Sequence, residues 1–413
     1  MKILLSAYAC EPDKGSEASV GWHWAVELAR MGHEVWVITR SNNRAAIDKA
    51  LQTDSSENLH FRYYDLPVWA KWWKKGNRGV HLYYIIWQWG AYRLALSLAK
   101  NTEFDVVHHV TFVSARQPSF MGLLPIPFIF GPVAGGESAP WWLRKSYPLK
   151  GWLRDLWRDV ANIGVRFDPL MHLTFAKASK IYVTSEQTLR LIPKRYRSKA
   201  AVKLAIGVES IQGYQPARLK AAAEDSFRVI FVGRLLYWKG LHLGLRAFAE
   251  LKKHVPAARL TVIGSGPDEK WLRSLVARLQ MNDAIEWVPW LSRVDVLLEY
   301  QQQDILLFPS LHDSGGMVVL EALASGLPVV TLDIGGPGLI VDVHCGVIVK
   351  TTGKREQDVV LALAAAMRRL CENQDLRVSL ADGARACAEE HLWVRLIDSI
   401  YGIKQCLAQQ PTY

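Results

Sequence analysis

The chain has 413 residues, which is too many for one ordinary hydrophobic core and predicts two domains. Half of the residues are hydrophobic and 22% are charged, which is enough apolar material for packed cores. The formal charge of +11 is consistent with an anionic partner, although charge alone does not choose between nucleic acid, nucleotide-linked substrates and an acidic lipid surface. Five scattered cysteines without metal-ligand spacing indicate a reducing cytoplasm, and no run of 18 apolar residues is present to predict a membrane-spanning segment.

The first half of the chain predicts strands that alternate with helices. The N-terminal KILLSAY is a short apolar run followed at once by EPDKGSE, which favours a first strand over a signal peptide. A helix over 17–31 and the strand EVWVIT complete a β-α-β start, and later strands are predicted at 105–111, 127–133 and 181–185. This order predicts a doubly wound parallel sheet.

A second series of strands begins after the polar, alanine-rich stretch 209–226. Its β-branched runs are RVIFVG, ARLTVIGSG, IEWVPW, ILLFPS and LPVVTLD, and helical patterns separate them. The predicted fold class is α/β, with two Rossmann-like, doubly wound parallel-sheet domains facing across a cleft. We predict domains at 1–207 and 208–393, and a C-terminal helix over 394–413 that crosses back onto the first domain.

Two loops of the second series carry residues suited to a phosphate ligand. FVGRLLYWKG ends a strand at Gly233 and supplies Arg234 and Lys239, two cations that could converge on one polyanion. VIGSGPDEKWL places Gly264 in a turn between a strand and a helix, although Glu269 stands where the dinucleotide fingerprint needs its third glycine. A solvated basic loop remains the alternative interpretation of the first segment.

The segment HDSGGMVVLEALASGLPVV places two glycines before a predicted helix that begins near Met317. Gly315 and Gly316 would let a phosphate or a sugar approach the free N–H groups of the first helical turn. Asp313 precedes this helix and Glu321 lies inside it, in an apolar context where a carboxylate needs a partner. Ribose hydroxyls would supply that partner, and so would a buried salt bridge.

Together these segments resemble the family 4 retaining nucleotide-sugar glycosyltransferases, which have the GT-B fold. The resemblance covers nearly the whole chain and is carried, in this order, by ACEPDKGSEASVGW, GPVAGGE, FVGRLLYWKG, VIGSGP, FPSLHDSGGMVVLEALASGLPVV and GGPGLIVDVHCGVIV. The family motif has two glutamates separated by seven residues. The second is Glu321 here, whereas the first position holds the shorter Asp313.

The resemblance implies a role for each matched residue. Arg234 and Lys239 would bind the donor diphosphate, Glu321 the nucleotide ribose and Asp313 the donor sugar. The remaining donor contacts that the resemblance implies are Gly233, Gly264, the base-binding Trp290 and Leu291, Gly315, the backbone amides of Gly316, Met317 and Val318, and Gly15 of the first loop closing over the diphosphate. No Asp-x-Asp occurs in the chain, so no metal or other cofactor is expected, and cations and helix amides would stabilise the leaving group.

His108 and His109 end the predicted strand DVVHHVT, where a parallel sheet delivers residues to its ligand crevice. Adjacent strand residues face opposite sides, so at most one of the two would point at the donor sugar. The resemblance places a functional histidine near here, often two positions after the first, where this chain has Val110.

The stretch 60–165 combines aromatic rings with cations. It holds nine of the 17 tryptophans, and its thirteen Lys and Arg residues outnumber its six acids. This composition is typical of a segment in a bilayer interface. The same composition would also result if the tryptophans were buried in the core and the cations were solvated. The candidate acceptor or membrane residues are Trp69, Trp72, Trp73, Lys74, Lys75, Trp141, Trp142 and Arg144. No nucleic-acid motif accompanies them, so no nucleic-acid partner is expected.

The predicted function is retaining transfer of a sugar from a UDP-, GDP- or dTDP-linked donor to a glycan or polyprenyl-linked acceptor. The expected setting is bacterial surface polysaccharide synthesis, by a cytoplasmic protein held peripherally on the anionic inner face of the cell membrane. Two alternatives stay open: a GT-B sugar-nucleotide epimerase, and a catalytically degenerate scaffold that binds a nucleotide sugar. Asp313 and the acid-free Gly338-Leu339-Ile340 keep the scaffold in view.

Overall fold

The computed structural model describes residues 1–12, 15, 17–53, 56–70, 79–211 and 226–402. The first domain contains a seven-stranded parallel sheet in the order β3-β2-β1-β4-β5-β6-β7. Its strands are β1 (Lys2–Ala7), β2 (Glu34–Thr39), β3 (Leu59–Tyr63), β4 (Val106–Thr111), β5 (Phe128–Val133), β6 (Lys180–Val183) and β7 (Ala200–Val202). Its helices are α1 (Glu17–Arg30), α2 (Arg44–Thr53), α3 (Val80–Leu98), α4 (Leu149–Gly164), α5 (Pro169–Lys177) and α6 (Glu186–Leu191).

The second domain contains a six-stranded parallel sheet in the order β10-β9-β8-β11-β12-β13. Its strands are β8 (Arg228–Val232), β9 (Arg259–Ile263), β10 (Ile285–Val288), β11 (Ile305–Phe308), β12 (Val329–Leu332) and β13 (Gly346–Val349). The helices that follow the first domain are α7 (Leu241–Lys252), α8 (Glu269–Arg278), α9 (Arg293–Tyr300), α10 (Met317–Ala324), α11 (Pro337–Ile340), α12 (Glu356–Glu372), α13 (Gln374–Glu390) and α14 (Trp393–Tyr401). The predicted α/β class with two doubly wound parallel sheets is confirmed.

The strand orders explain where ligand-binding loops collect. In the first sheet the order reverses between β1 and β4, and in the second it reverses between β8 and β11. A parallel sheet opens a crevice at such a point, beyond the carboxyl ends of its strands. The loops after β8 and β11 are the ones that carry Lys239 and Asp313.

Two segments cross between the domains side by side. Val208 exchanges backbone hydrogen bonds with the second crossing, receiving one from the Trp393 N–H and donating one to the His391 carbonyl, both at 3.0 Å. Helix α14 then packs on α1, and the Tyr401 hydroxyl lies 2.7 Å from His108 Nδ1 of β4. Positions 403–413 of the predicted terminal helix lie outside the described residues. Within the described ranges, no helix combines the length and the apolar character needed to span a bilayer.

Candidate active site

A cleft of about 380 Å³ separates the two domains at the carboxyl ends of β4 and β11. The first domain contributes Glu17, Val20 and Val113, the crossing segment contributes Ala205 and Ile206, and the second domain contributes Lys239, Phe308 and residues 313–318. The cleft therefore contains Lys239, Asp313, Gly315, Gly316, Met317 and Val318 from the predicted donor residues.

Lys239 and Asp313 form an ion pair at the centre of this cleft. Lys239 ends a short 3-10 turn, and the following Gly240 has a φ of 70°, a left-handed conformation that favours glycine. A Cβ on Gly240 would lie 1.8 Å from the Pro309 carbonyl oxygen, so the two loops touch at this point. Lys239, which the resemblance assigns to the diphosphate, and Asp313, which it assigns to the donor sugar, are therefore held in contact with each other.

Helix α10 begins at the floor of the cleft. Gly316 precedes it with a φ of 102°, and the described part of the chain offers no acceptor within hydrogen-bond distance of the N–H groups of Gly316, Met317 and Val318. The loop before α11 supports this turn, because the Gly336 N–H donates to the Asp313 carbonyl oxygen at 2.8 Å. Free N–H groups at a helix start suit an anion or a sugar hydroxyl.

Glu321 lies on α10, is 8% exposed, and is paired with Arg293 of α9. The guanidinium Nε donates to the carboxylate Oε1 at 2.9 Å. Burial raises the pKa of Glu321, and the Arg293 charge opposes that rise without cancelling it. The salt-bridge alternative considered for Glu321 therefore exists in this structure, with a partner whose side chain is 54% exposed.

Two glycine turns bring the loops after β8 and β9 into contact. Gly264 has a φ of 137°, and a Cβ there would lie 2.1 Å from the Gly233 carbonyl oxygen. Arg234, directly after Gly233, is exposed at this edge of the second sheet. Trp290 is also exposed and Leu291 is half-buried beyond the end of β10. These predicted donor residues share an edge of the sheet with Lys239 but do not line the 380 Å³ cleft itself.

Glu17 of the first domain lines the cleft and is not among the residues predicted from the sequence, whereas the predicted Gly15, two positions earlier, does not line it. Gly15 is exposed, and a Cβ on it would meet no atom within 4 Å. Glu17 begins α1, lines the cleft and accepts a hydrogen bond from the Val113 N–H after β4. Burial raises the pKa of Glu17. Its signal in the sequence was an acid directly after the glycine loop, at the start of the first helix.

His108 and His109, of which at most one was expected to face the donor sugar, are both completely buried, and neither lines the cleft. His108 packs edge-on against Trp24 of α1 and bonds to Tyr401 of α14, while His109 lies on the opposite side, with its Nε2 3.4 Å from the Tyr84 hydroxyl of α3. The side chains do alternate, but a helix covers each face of the strand. Burial lowers the pKa of His108 to about 4 and that of His109 to about 3.

Arg144 is likewise not a surface cation. It is 2% exposed, and it donates to Asp159 Oδ2 at 2.7 Å and to the Ala139 carbonyl oxygen at 2.8 Å. Trp69, Trp141 and Trp142 are exposed as predicted for surface residues. The predicted membrane residues Trp72, Trp73, Lys74 and Lys75 lie outside the described residues.

One group in the described ranges brings three possible metal-ligand atoms within 4.8 Å of one another, and it consists of Asp342, Cys345 and Cys387. The Cys387 thiol contacts the Ile340 carbonyl oxygen at 3.1 Å, behind α11. None of the three residues lines the cleft. This grouping therefore does not bear on the chemistry at Lys239 and Asp313.

Solved structures of known proteins superpose on nearly the whole length of this chain. Sucrose-phosphate synthase from Thermosynechococcus elongatus superposes with a TM-score of 0.67 at 17% identity, covering 97% of each chain. Anabaena HepE, solved with UDP and glucose, superposes with a TM-score of 0.61 at 16% identity, covering 97% of this chain and 98% of that one. At these identities the likeness establishes the fold alone, which is GT-B.

Residues 217–386 match the family described as glycosyl transferases group 1. A D-inositol 3-phosphate glycosyltransferase of Saccharomonospora viridis is 29% identical over 256 residues, which is 60% of this chain and 54% of that protein. An Escherichia coli glycosyltransferase named for colanic acid biosynthesis is 34% identical over 151 residues, which is 35% of this chain and 36% of that protein. The matches thus span about a third to a half of these curated relatives.

The fold is therefore the two-domain GT-B fold, with a cleft between the domains. The second domain, which carries Lys239, Asp313 and Glu321, is similar to the group 1 glycosyl transferases.

Proposed function

We propose that this protein transfers a sugar, with retention, from a nucleotide-sugar donor to a glycan or polyprenyl-linked acceptor. The observation that carries the proposal is the cleft between the domains. There the Lys239 ammonium, the Asp313 carboxylate and the open amides of α10 face one space of about 380 Å³. A cation and free helix N–H groups suit a diphosphate, and a carboxylate suits sugar hydroxyls.

The chemical step breaks the bond between the anomeric carbon and the diphosphate oxygen, and the electron pair leaves with the nucleoside diphosphate. Negative charge then grows on that oxygen, and Lys239, Arg234 and the α10 amides would stabilise it. Each well-placed contact of this kind contributes about 3 kcal/mol, or roughly a hundredfold in rate. The Lys239–Asp313 pair implies that the arriving phosphate takes over part of the ammonium's coordination, while Asp313 keeps the lysine in position.

The acceptor hydroxyl would attack from the face that the diphosphate leaves, so no enzyme nucleophile and no metal is assigned. The proton of that hydroxyl would pass to the departing phosphate oxygen, which balances the reaction without a protein base. Support for a polysaccharide setting comes from relatives alone: the colanic acid glycosyltransferase matches 35% of this chain, and the fold of WaaG, a glycosyltransferase of lipopolysaccharide biosynthesis, superposes over 96% of it. The proposed place of action is the inner face of the cell membrane.

A donor screen tests the proposal. Purified protein is mixed with UDP-, GDP- and dTDP-sugars, and thermal stabilisation and nucleotide release are measured for each. One nucleotide class should raise the melting temperature, and a sugar of that class should release its nucleotide when an acceptor is present. Failure of every donor to bind or to be cleaved would contradict the proposal.

The same screen separates the alternatives. A nucleotide-sugar epimerase would convert its donor to an isomer without an acceptor and without lasting nucleotide release. A degenerate scaffold would show thermal stabilisation with no cleavage at all. Transfer of the sugar to an added glycan or polyprenyl phosphate acceptor is the outcome that only the proposed function gives.

A further inference from the structure

Helix α4 carries a row of large apolar side chains that nothing in the described structure covers. Leu149, Leu153, Trp157, Val160 and Ile163 are each between 50 and 75% exposed, and Phe167, just beyond the helix, is 78% exposed. Their spacing of three and four residues places them on one face of the helix. We call these six residues the α4 ridge. A continuous apolar surface of this kind marks an interaction site.

The exposed charges on and beside the α4 ridge are positive, and the acid next to Phe167, Asp168, is half-buried and accepts a hydrogen bond from the Leu170 N–H at 2.8 Å. Lys150 and Arg154 are exposed on the helix, and Lys145 and Arg166 are exposed on either side of it. The two acids of the helix point the other way, because Asp155 is completely buried and Asp159 pairs with the buried Arg144. The exposed part of α4 is therefore apolar along its centre and cationic along one edge, with a further exposed cation beyond each end of the helix.

We infer that the α4 ridge docks on an anionic membrane surface, with the helix lying in the interface between headgroups and acyl chains. An amphipathic helix with aromatic and aliphatic residues on one face and cations beside it is the structure that binds such a surface. A second copy of the chain fits less well, since a two-fold contact would bring the same uncompensated cations together. Nucleic acid also fits less well, since four of the six ridge side chains are aliphatic and offer bases no stacking surface.

The inner face of α4 connects this surface to the donor loop. The Tyr237 hydroxyl donates to Asp155 Oδ1 at 2.8 Å, and a Cβ on Gly151 would lie 2.8 Å from the Tyr237 ring. Tyr237 is two residues before Lys239, which lines the cleft. A membrane that contacts the outer face of α4 would thus lie beside the donor loop. This inference deepens the proposed function, on which it rests for the membrane-borne acceptor.

Vesicle flotation tests the docking surface. Full-length protein is mixed with phosphatidylcholine vesicles that contain or lack phosphatidylglycerol, at low and high salt. Wild type should float with the anionic vesicles at low salt and less at high salt, because salt screens the cations. The triple variant Leu153→Ser, Trp157→Ser, Val160→Ser should lose at least tenfold in vesicle partitioning. The double variant Lys150→Glu, Arg154→Glu should lose binding specifically to the anionic vesicles.

The matched control is Leu361→Ser with Val378→Ser, which removes two exposed apolar side chains from α12 and α13 of the second domain. It should float like wild type, and all variants should keep the wild-type melting temperature because the changed side chains are on the surface. The inference is overturned if wild type does not float with anionic vesicles, or if the triple variant floats equally well. It is also overturned if wild type is a dimer that the triple variant converts to a monomer.

The outcome is separate from that of the proposed function. Flotation without cleavage of any nucleotide sugar would leave the docking surface standing and remove the glycosyl transfer. Cleavage of a free nucleotide sugar without flotation would support glycosyl transfer and remove the docking surface.

Discussion

Arg293 Nε donates to Glu321 Oε1 at 2.9 Å, and this pair occupies the carboxylate that the sequence assigns to a ribose. The two residues belong to neighbouring helices and are 28 positions apart. Arg293 is more than half exposed, whereas Glu321 is almost covered. Because burial raises the pKa of Glu321 despite its partner, the folded protein without a ligand carries a net penalty for the ionised form.

The first prediction is that Glu321→Gln raises the melting temperature of the free protein and weakens nucleotide binding. The amide removes a buried charge, but it accepts a ribose hydrogen bond less strongly than a carboxylate does. A hydrogen bond to a charged group contributes about 1.5–3 kcal/mol, so affinity should fall roughly tenfold to a hundredfold. Thermal unfolding and nucleotide titration of the two proteins measure both effects.

The pH dependence checks the cause. A carboxyl with a raised pKa in the folded state favours folding at low pH, and it loses that contribution as the pH rises through the folded pKa. The stability advantage of Glu321→Gln should therefore be largest at neutral pH and should narrow as the pH falls towards the raised pKa. A constant advantage at all pH values would assign the effect to packing instead.

The second prediction concerns Lys239. Because phosphate charge grows during the reaction, Lys239→Met should lower kcat by roughly a hundredfold while changing the KM for the donor much less. Steady-state kinetics with the donor found in the screen measure this split. Lys253→Met is the matched control, since Lys253 is exposed and pairs with Glu250 on the surface of α7, away from the cleft lining. An unchanged kcat with a raised KM would mean that Lys239 binds the donor alike before and during the reaction.

The third prediction separates function from stability at Gly15. A Cβ on Gly15 meets no neighbour, so Gly15→Ala should leave the melting temperature unchanged. If the first loop closes its backbone on the diphosphate, the added methyl group should still lower kcat/KM for the donor by about tenfold, or 1.4 kcal/mol. Gly164→Ala is the control, because its Cβ also meets no atom within 4 Å and it lies at the end of α4. Equal activity of both variants would remove Gly15 from the site.

The sequence predicted the two sheets and the cleft loops because those features are local. Runs of β-branched residues determine the strands, and a residue at the end of a parallel strand is delivered to the same edge wherever the chain goes next. Lys239, Asp313 and the start of α10 were found in this way. Their association as an ion pair was not, since it depends on how two loops 74 positions apart pack against each other.

The misassigned residues depend on distant parts of the chain. His108 is covered by α1 and by α14, whose Tyr401 is 293 positions away. Arg144 was counted as a surface cation because its two acidic partners lie in the next helix, facing inwards. The α4 ridge could have been predicted from LKGWLRDLWRDVANIG, where apolar residues recur at helical spacing, but the sequence could not show that no described part of the chain covers this face.

The last prediction concerns buried histidines and acid stability. His108, His109 and His242 are completely covered, and burial lowers the pKa of His242 to about 3. Each of these histidines binds its proton far more readily in the unfolded chain, where its imidazole has the ordinary pKa of 6.5. The free energy of unfolding should therefore fall as the pH drops below about 6.5, by up to about 1.4 kcal/mol per pH unit for each histidine. His242 is the clearest test, since neither of its ring nitrogens has a hydrogen-bond partner within the described ranges.

In His242→Leu the free energy of unfolding should fall less steeply with decreasing pH, by up to about 1.4 kcal/mol per pH unit, because one proton fewer is taken up on unfolding. The variant should also be more stable at neutral pH, because two unsatisfied polar atoms are removed. Urea unfolding at several pH values between 8 and 5 gives both quantities. His254→Leu, at an exposed position just after the same helix, should change neither. If the acid-side slope is the same in wild type and His242→Leu, then the buried imidazole does not set the acid limit of this fold.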